Sequence, residues 1–225
     1  MFESKYSNFL TILLVIIIIA VVCLLGYVGY NIYKDHNTTQ GASDYVDAFI
    51  GETETEKPST ENQTATNENV ELPDLANTST EGQVATKKRE KYKGFDVLGT
   101  IEIPATSVKY PVLDKTTKKS LDTAVSALYP ESAELNTPGN VVIVGHNYRN
   151  GTFFSNNKKL KNGDKIYITD LYGKRITYVI YNIFEANQND TSFYNRDTNG
   201  AKEITLSTCT DASNDMRLII EAKEQ

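Results

Sequence analysis

Three side chains in the carboxy-terminal part of the chain are of types that together support thiol-based acyl transfer. Cys209 closes the run Thr205-Leu206-Ser207-Thr208-Cys209, and Arg217 opens the next apolar run eight residues later. His146 follows the apolar run Val141-Val142-Ile143-Val144 and Gly145. A thiolate is the attacking form of cysteine, and a guanidinium beside a thiol favours that anion. A fixed guanidinium can also stabilise the negative charge that builds on a carbonyl oxygen under attack. Imidazole can give a proton to a departing amine and take one from an incoming amine. Each residue also has a plainer reading: a satisfied histidine at a strand end, a solvated arginine, and a cysteine in an ordinary Thr/Ser-rich strand.

Positioning these groups requires short strands. Val97 to Ile103 reads as a strand ended by Pro104, and Val108 to Leu113 as the next. Leu121, Ala124, Val125 and Leu128 have helical spacing and predict a helix over 118–129. Pro138-Gly139-Asn140 is a turn leading into the buried-type run 141–144. A short helix is expected within 152–161, stopped at Asn162-Gly163-Asp164. Residues 165–171 and 175–185 flank Tyr172-Gly173-Lys174 as a hairpin, and 204–209 with 216–222 form the last pair. Seven strands are readable, and so many short strands favour a closed or nearly closed all-β barrel with short helices over a doubly wound sheet. If residues 210–215 connect the last two strands, antiparallel pairing sets Arg217 beside Cys209, because neighbouring strands lie about 5 Å apart. The approach of His146, 63 residues upstream of Cys209, does not follow from the local pattern.

The rest of the chain is of other kinds. Residues 6–33 carry no Asp, Glu, Lys or Arg, and a spanning helix needs about 20 apolar residues. A cleaved signal peptide would show a shorter apolar core and a small-residue cleavage site. A lipoprotein signal would place a small residue before Cys23, where Val22 stands. Residues 9–33 are therefore expected to be an uncleaved transmembrane anchor behind a short cytoplasmic stretch, 1–8. Residues 34–90 are rich in Thr, Glu, Asn and Ser, and from Asp35 to Glu81 hold eleven acidic residues against one lysine. So little apolar surface predicts a disordered acidic linker. The folded domain is expected over 91–225, where 17 basic and 16 acidic residues nearly balance. The net charge of −6 thus belongs to the linker, and no basic patch argues for nucleic acid. Cys23 lies in the apolar span and cannot reach Cys209, so no intrachain disulfide is available.

Several segments follow one another in a recognisable order. Gly99-Thr100-Ile101-Glu102-Ile103-Pro104 precedes Val108-Lys109-Tyr110-Pro111-Val112, then Asn140 to Asn147. Phe153-Phe154, Leu160 and Gly163-Asp164 come next, before the T-L-x-T-C run at Thr205 to Cys209 and Arg217-Leu218-Ile219-Ile220. Over residues 92–224 the chain resembles the sortase family.

The resemblance implies an eight-stranded sortase-type β-barrel, one strand more than the pattern yields, preceded by one transmembrane helix and a linker. It implies Cys209 as nucleophile, His146 as general acid/base, Arg217 as the cation at the oxyanion, and Ser207 lining the substrate groove. The reaction implied is cleavage of an LPxTG-like sorting signal through a thioacyl-enzyme, with transfer to an amine of the cell wall or its precursor. The partners implied are secreted proteins bearing a carboxy-terminal sorting signal and an amine acceptor of peptidoglycan or of a lipid-linked precursor. The location implied is the cell membrane of a Gram-positive bacterium, single-pass, with the catalytic domain extracellular. The chemistry calls for no cofactor; several sortases use calcium, and no convincing acidic cluster is identifiable here. Thr205 to Cys209 and Gly145-His146-Asn147 are class B-like, whereas the short link from Phe184 to Ile204 is closer to classes D or E. No aspartate-containing lid of the class C kind is evident. Two rival readings are a thiol hydrolase on the same barrel and a non-catalytic surface module with Cys209 inert.

Overall fold

The computed structural model describes residues 3–55 and 90–225. A single helix, α1 (Glu3–Thr55), opens the chain. Its apolar stretch exposes large side chains such as Leu10, Ile16 and Leu24, and it is the one helix among the described residues long and apolar enough to cross a membrane. The expected linker over 34–90 needs correction at its start, because α1 continues through residue 55 and its last turns pack on the folded domain. Ala42, Tyr45, Val46 and Phe49 recur at helical spacing; Ala42 and Val46 are fully buried, and Phe49 nearly so. Tyr45 meets Tyr92 edge-on at 5.0 Å between ring centres, the hydroxyls of Thr39 and Tyr110 lie 3.3 Å apart, and Asp47 pairs with Lys109. This apolar stripe is what makes the helix worth ordering. The rest of the expected linker, residues 56–89, lies outside the described residues.

Eight strands close into the barrel: β2 (Phe95–Ile103), β3 (Val108–Leu113), β4 (Val125–Tyr129), β5 (Gly139–Val144), β6 (Lys165–Asp170), β7 (Arg175–Asn187), β8 (Lys202–Cys209) and β9 (Met216–Glu224). Their order is β2-β3-β4-β5-β8-β9-β7-β6, and β6 pairs back onto β2 to leave no free edge. A two-residue strand, β1 (Lys91–Tyr92), adds to β2. The pairs β3/β4 and β5/β8 are parallel and the others antiparallel. Ile101, Tyr110, Leu113, Ile143, Ile168, Tyr178 and Leu206 fill the interior with almost no exposure.

The eighth strand is the one the sequence pattern hides. Residues 118–129, expected as a helix, form one helical turn, α2 (Lys118–Leu121), followed by β4. Val125, Ser126 and Ala127 are buried in succession, as in a strand covered on both faces, while Leu128 is exposed. The backbone groups of β4 are used by β3 on one side and β5 on the other, an arrangement that a local window cannot register. The helix expected within 152–161 is reduced to a 3-10 turn at Asn157–Lys159.

Gly99 sits at an irregularity of the β2/β3 register with φ of +150°. A Cβ there would lie 2.2 Å from the carbonyl oxygen of Thr169 and 2.9 Å from Leu135 Cδ1. Gly99→Ala is therefore expected to force β2 away from β6 and cost about 1–3 kcal/mol or more. The reading is a lowered midpoint in urea unfolding; an unchanged midpoint would refute the close contact.

Candidate active site

The last hairpin brings together two of the three residues singled out in the sequence. In the β8/β9 register Cys209 is opposite Arg217, and Arg217 Nη1 donates to Cys209 Sγ at 3.3 Å. The guanidinium is tied down further by the carbonyl oxygen of Asn214, at 2.5 Å from Nη1, and by Gln188 Oε1, at 3.5 Å from Nη2. Held from three directions, the planar fork has little freedom to turn away from the sulfur.

His146 arrives through a parallel pairing. β5 runs alongside β8 with Val144 opposite Ser207. The match extends beyond the strand: Gly145 N donates to Ser207 O at 3.3 Å, and Thr208 Oγ1 donates to Gly145 O at 2.8 Å. The next residues in step are His146 and Cys209. Gly145 is required at this crossing because a Cβ would lie 2.9 Å from Phe154 and 3.0 Å from Val125. After His146 the chain turns back, with Phe154 N donating to His146 O at 3.0 Å. The imidazole lies 4.6 Å from the Tyr148 ring, and Phe153 approaches it edge-on at 6.3 Å. Its Nε2 is 3.3 Å from Asp122 Oδ1, within ion-pair range but off the hydrogen-bond axis.

Cys209, His146 and Arg217 share a groove of about 290 Å³, with Leu121, Leu128 and Val144 as apolar lining and Phe193 and Tyr194 as aromatic lining. Ser207, the fourth residue singled out in the sequence, also lines the groove and is 6% exposed.

Several supporting residues were given no individual role in the sequence analysis. Asn147 Nδ2 donates to Cys209 O at 2.9 Å and to Asp211 Oδ1 at 2.8 Å. Arg149 donates from Nε to Asp211 O at 3.0 Å and from Nη2 to Thr210 O at 3.3 Å. Lys158 pairs with Asp211. The hydrogen bonds from Lys158 and Asn147 hold the Asp211 carboxyl below its usual range, so it stays ionised and keeps both partners. The segment after the histidine thus grips the segment after the cysteine. The groove's aromatic wall is anchored separately. Asn140 Nδ2 donates to the carbonyls of Phe193 and Tyr194, each at 3.0 Å, and Arg196 pairs with Glu203 and Glu221. Asn147, adjacent to the histidine, was the most accessible of these to sequence reasoning. The others become visible only when distant strands are placed side by side.

The closed all-β barrel thus brings one cysteine, one histidine and one arginine to a common groove. The chain belongs to the sortase family: the model of the sortase domain matches residues 101–225, more than half of its length. Members of this family are cysteine transpeptidases. A sortase A from Bacillus anthracis is 29% identical over 154 residues, covering 68% of this chain and 67% of that protein. Among solved structures, a lid mutant of sortase A from Corynebacterium diphtheriae matches with 31% identity and a TM-score of 0.52, covering 57% of this chain and 70% of the other. A Clostridium perfringens sortase D5 transpeptidase matches with 29% identity and a TM-score of 0.52, covering 58% and 79%. The link from β7 to β8, residues 188–201, contains no helix.

Proposed function

We propose that this chain is a sortase transpeptidase. It cleaves an LPxTG-like sorting signal of a secreted protein and transfers the acyl group to an amine of the cell wall or of its precursor. The observation that carries this reading is the guanidinium of Arg217, at 3.3 Å from the Cys209 sulfur in a groove that His146 also lines. Cys209 Sγ attacks the scissile carbonyl, and the charge arising on oxygen is met by Arg217. His146 protonates the departing amine and then takes the proton of the incoming one, so that a thioester forms and is replaced by an amide. Leu121, Leu128, Phe193 and Tyr194 supply apolar surface for the side chains of the signal, and Ser207 lines the groove beside them. The reaction uses these side chains alone. The domain faces outward from the cell membrane, to which the apolar part of α1 holds it by a single pass.

The test is product analysis with the full chain in detergent, a panel of sorting-motif peptides, and several amines. A thioacyl adduct on Cys209 and an amide product that appears only with amine are expected. Hydrolysed peptide alone, whatever the amine, would replace transpeptidation with a thiol hydrolase. Arg217→Ala is expected to lower turnover by about 10²–10³-fold, the scale seen when an oxyanion donor is lost. Near-normal turnover in that variant would remove Arg217 from the scheme.

A further inference from the structure

Asp122 caps the carboxy-terminal end of α2, and that turn fixes where the residue stands. Thr117 and Ser120 cap one another, the fully buried Ser120 donates from Oγ to Lys115 O at 2.7 Å, and Asp122 N donates to Lys118 O at 3.0 Å. From this seat Asp122 Oδ1 reaches to 3.3 Å from His146 Nε2 and accepts from the Tyr148 hydroxyl at 3.0 Å. Tyr148 is itself fixed, its backbone N donating to Ser155 Oγ at 3.1 Å and its ring meeting Phe153 edge-on at 5.6 Å. Burial first, and then the Asp122 carboxylate, push the Tyr148 hydroxyl up to about 12, so it remains a donor to Asp122 through neutral pH. Nε2 of His146 is buried and within ion-pair range of this carboxylate, so a proton held on Nε2 would leave Nδ1 as the basic nitrogen.

We propose that Asp122 is a positioning residue for His146. Its carboxylate accepts the Nε2 proton, holds the imidazole in the Nε2–H tautomer and keeps Nδ1 as the basic nitrogen facing the thiol side of the groove. Tyr148 holds the carboxylate in place. The titratable and charged groups around the ring are Asp122 after α2, Tyr148 from the segment after β5, Cys209 from β8 and Arg217 from β9, with Asp35 of α1 close enough to act on the Tyr148 hydroxyl. Asp122 is the anion within ion-pair range of the ring, and the positive charge that the ring acquires on taking a proton falls next to it. The misalignment of the 3.3 Å contact is of the kind that tightens once substrate fills a site. This inference rests on the reading of His146 as the general acid/base, so its test includes a readout independent of turnover.

The full chain, labelled with ¹⁵N-histidine in detergent micelles, reports the tautomer of His146 directly. It holds two histidines, and His146→Ala assigns the signals. The wild-type protein is expected to show the Nε2–H form, and Asp122→Ala a mixture of both tautomers. Asp122→Asn keeps a carbonyl acceptor and is expected to restore most of the Nε2–H form. In parallel, peptide transpeptidation by Asp122→Ala is expected to lose about 10–100-fold in kcat with KM within about twofold, part of the 10²–10⁴ that a general acid–base group contributes. Tyr148→Phe removes only the hydroxyl and is expected to shift the same signals in the same direction by a smaller amount, which covers an Asp122→Ala protein that does not fold. An unchanged tautomer in these variants overturns the proposal, whatever happens to turnover. A shifted tautomer in a chain that transfers no peptide upholds the role of Asp122 and overturns only the functional reading beneath it.

Discussion

Cys209→Ala is expected to abolish covalent capture of a sorting-motif peptide altogether, with no residual adduct by intact-protein mass spectrometry. The described domain contains no second thiol to take over, since the other cysteine, Cys23, lies in the apolar part of α1. The fold should survive, because Cys209 is at the end of β8 and only partly buried, and its backbone contacts with Asn147 do not involve the sulfur. An adduct in the alanine variant would mean that another group is the nucleophile. Unchanged unfolding in urea would separate lost chemistry from lost structure.

His146→Ala is expected to cut turnover by about 10²–10⁴-fold while leaving Cys209 open to a small thiol reagent. The loss falls on proton movement. Without the imidazole, the amine leaving the tetrahedral intermediate has no donor, and collapse back to substrate is favoured. The hydrogen bond that turns the following segment is made by the carbonyl of His146, not its ring, so the return to Phe154 is retained. Single-turnover acylation and multiple-turnover transfer should both fall. A variant with unimpaired turnover would show that water or another side chain moves the proton.

The two pairings that build the groove were unequally legible in the sequence. Cys209 and Arg217 belong to one hairpin with a six-residue connection, 210–215, and alternation along β8 and β9 is enough to set them opposite each other. His146 meets them only because β5 lies parallel to β8, a pairing between segments far apart in the chain that no local window encodes. The same limit concealed β4: Leu121, Ala124, Val125 and Leu128 mimic a helical stripe, and their strand partners in β3 and β5 decide otherwise. For α1 the signal was present but diluted. Ala42, Tyr45, Val46 and Phe49 form an apolar stripe, averaged away in a long window rich in Thr, Glu and Asn. Asp122 had no signal, since an acidic residue after a short helical turn reads as solvent-facing until His146 is folded against it.

The unbroken course of α1 sets the height of the groove above the level where its apolar run ends. Asp35, two residues beyond Tyr33, accepts from Asn150 Nδ2 at 2.8 Å. At 1.5 Å of rise per residue that contact is about 3 Å along the helix axis from the end of the run. Asn150 is four residues past His146, which fully extended chain would place at most about 14 Å away. Allowing for the side chains that bridge the two segments, the imidazole therefore stands within roughly 30 Å of that level, without the long reach that a free spacer of dozens of residues would give. Residues 56–89 join two ends already seated on one body, so their length does not set how far the groove reaches. On the proposed function, the geometry of a mast, not of a leash, would decide which amines and signals come within range: those presented close to the plane of the proposed membrane span.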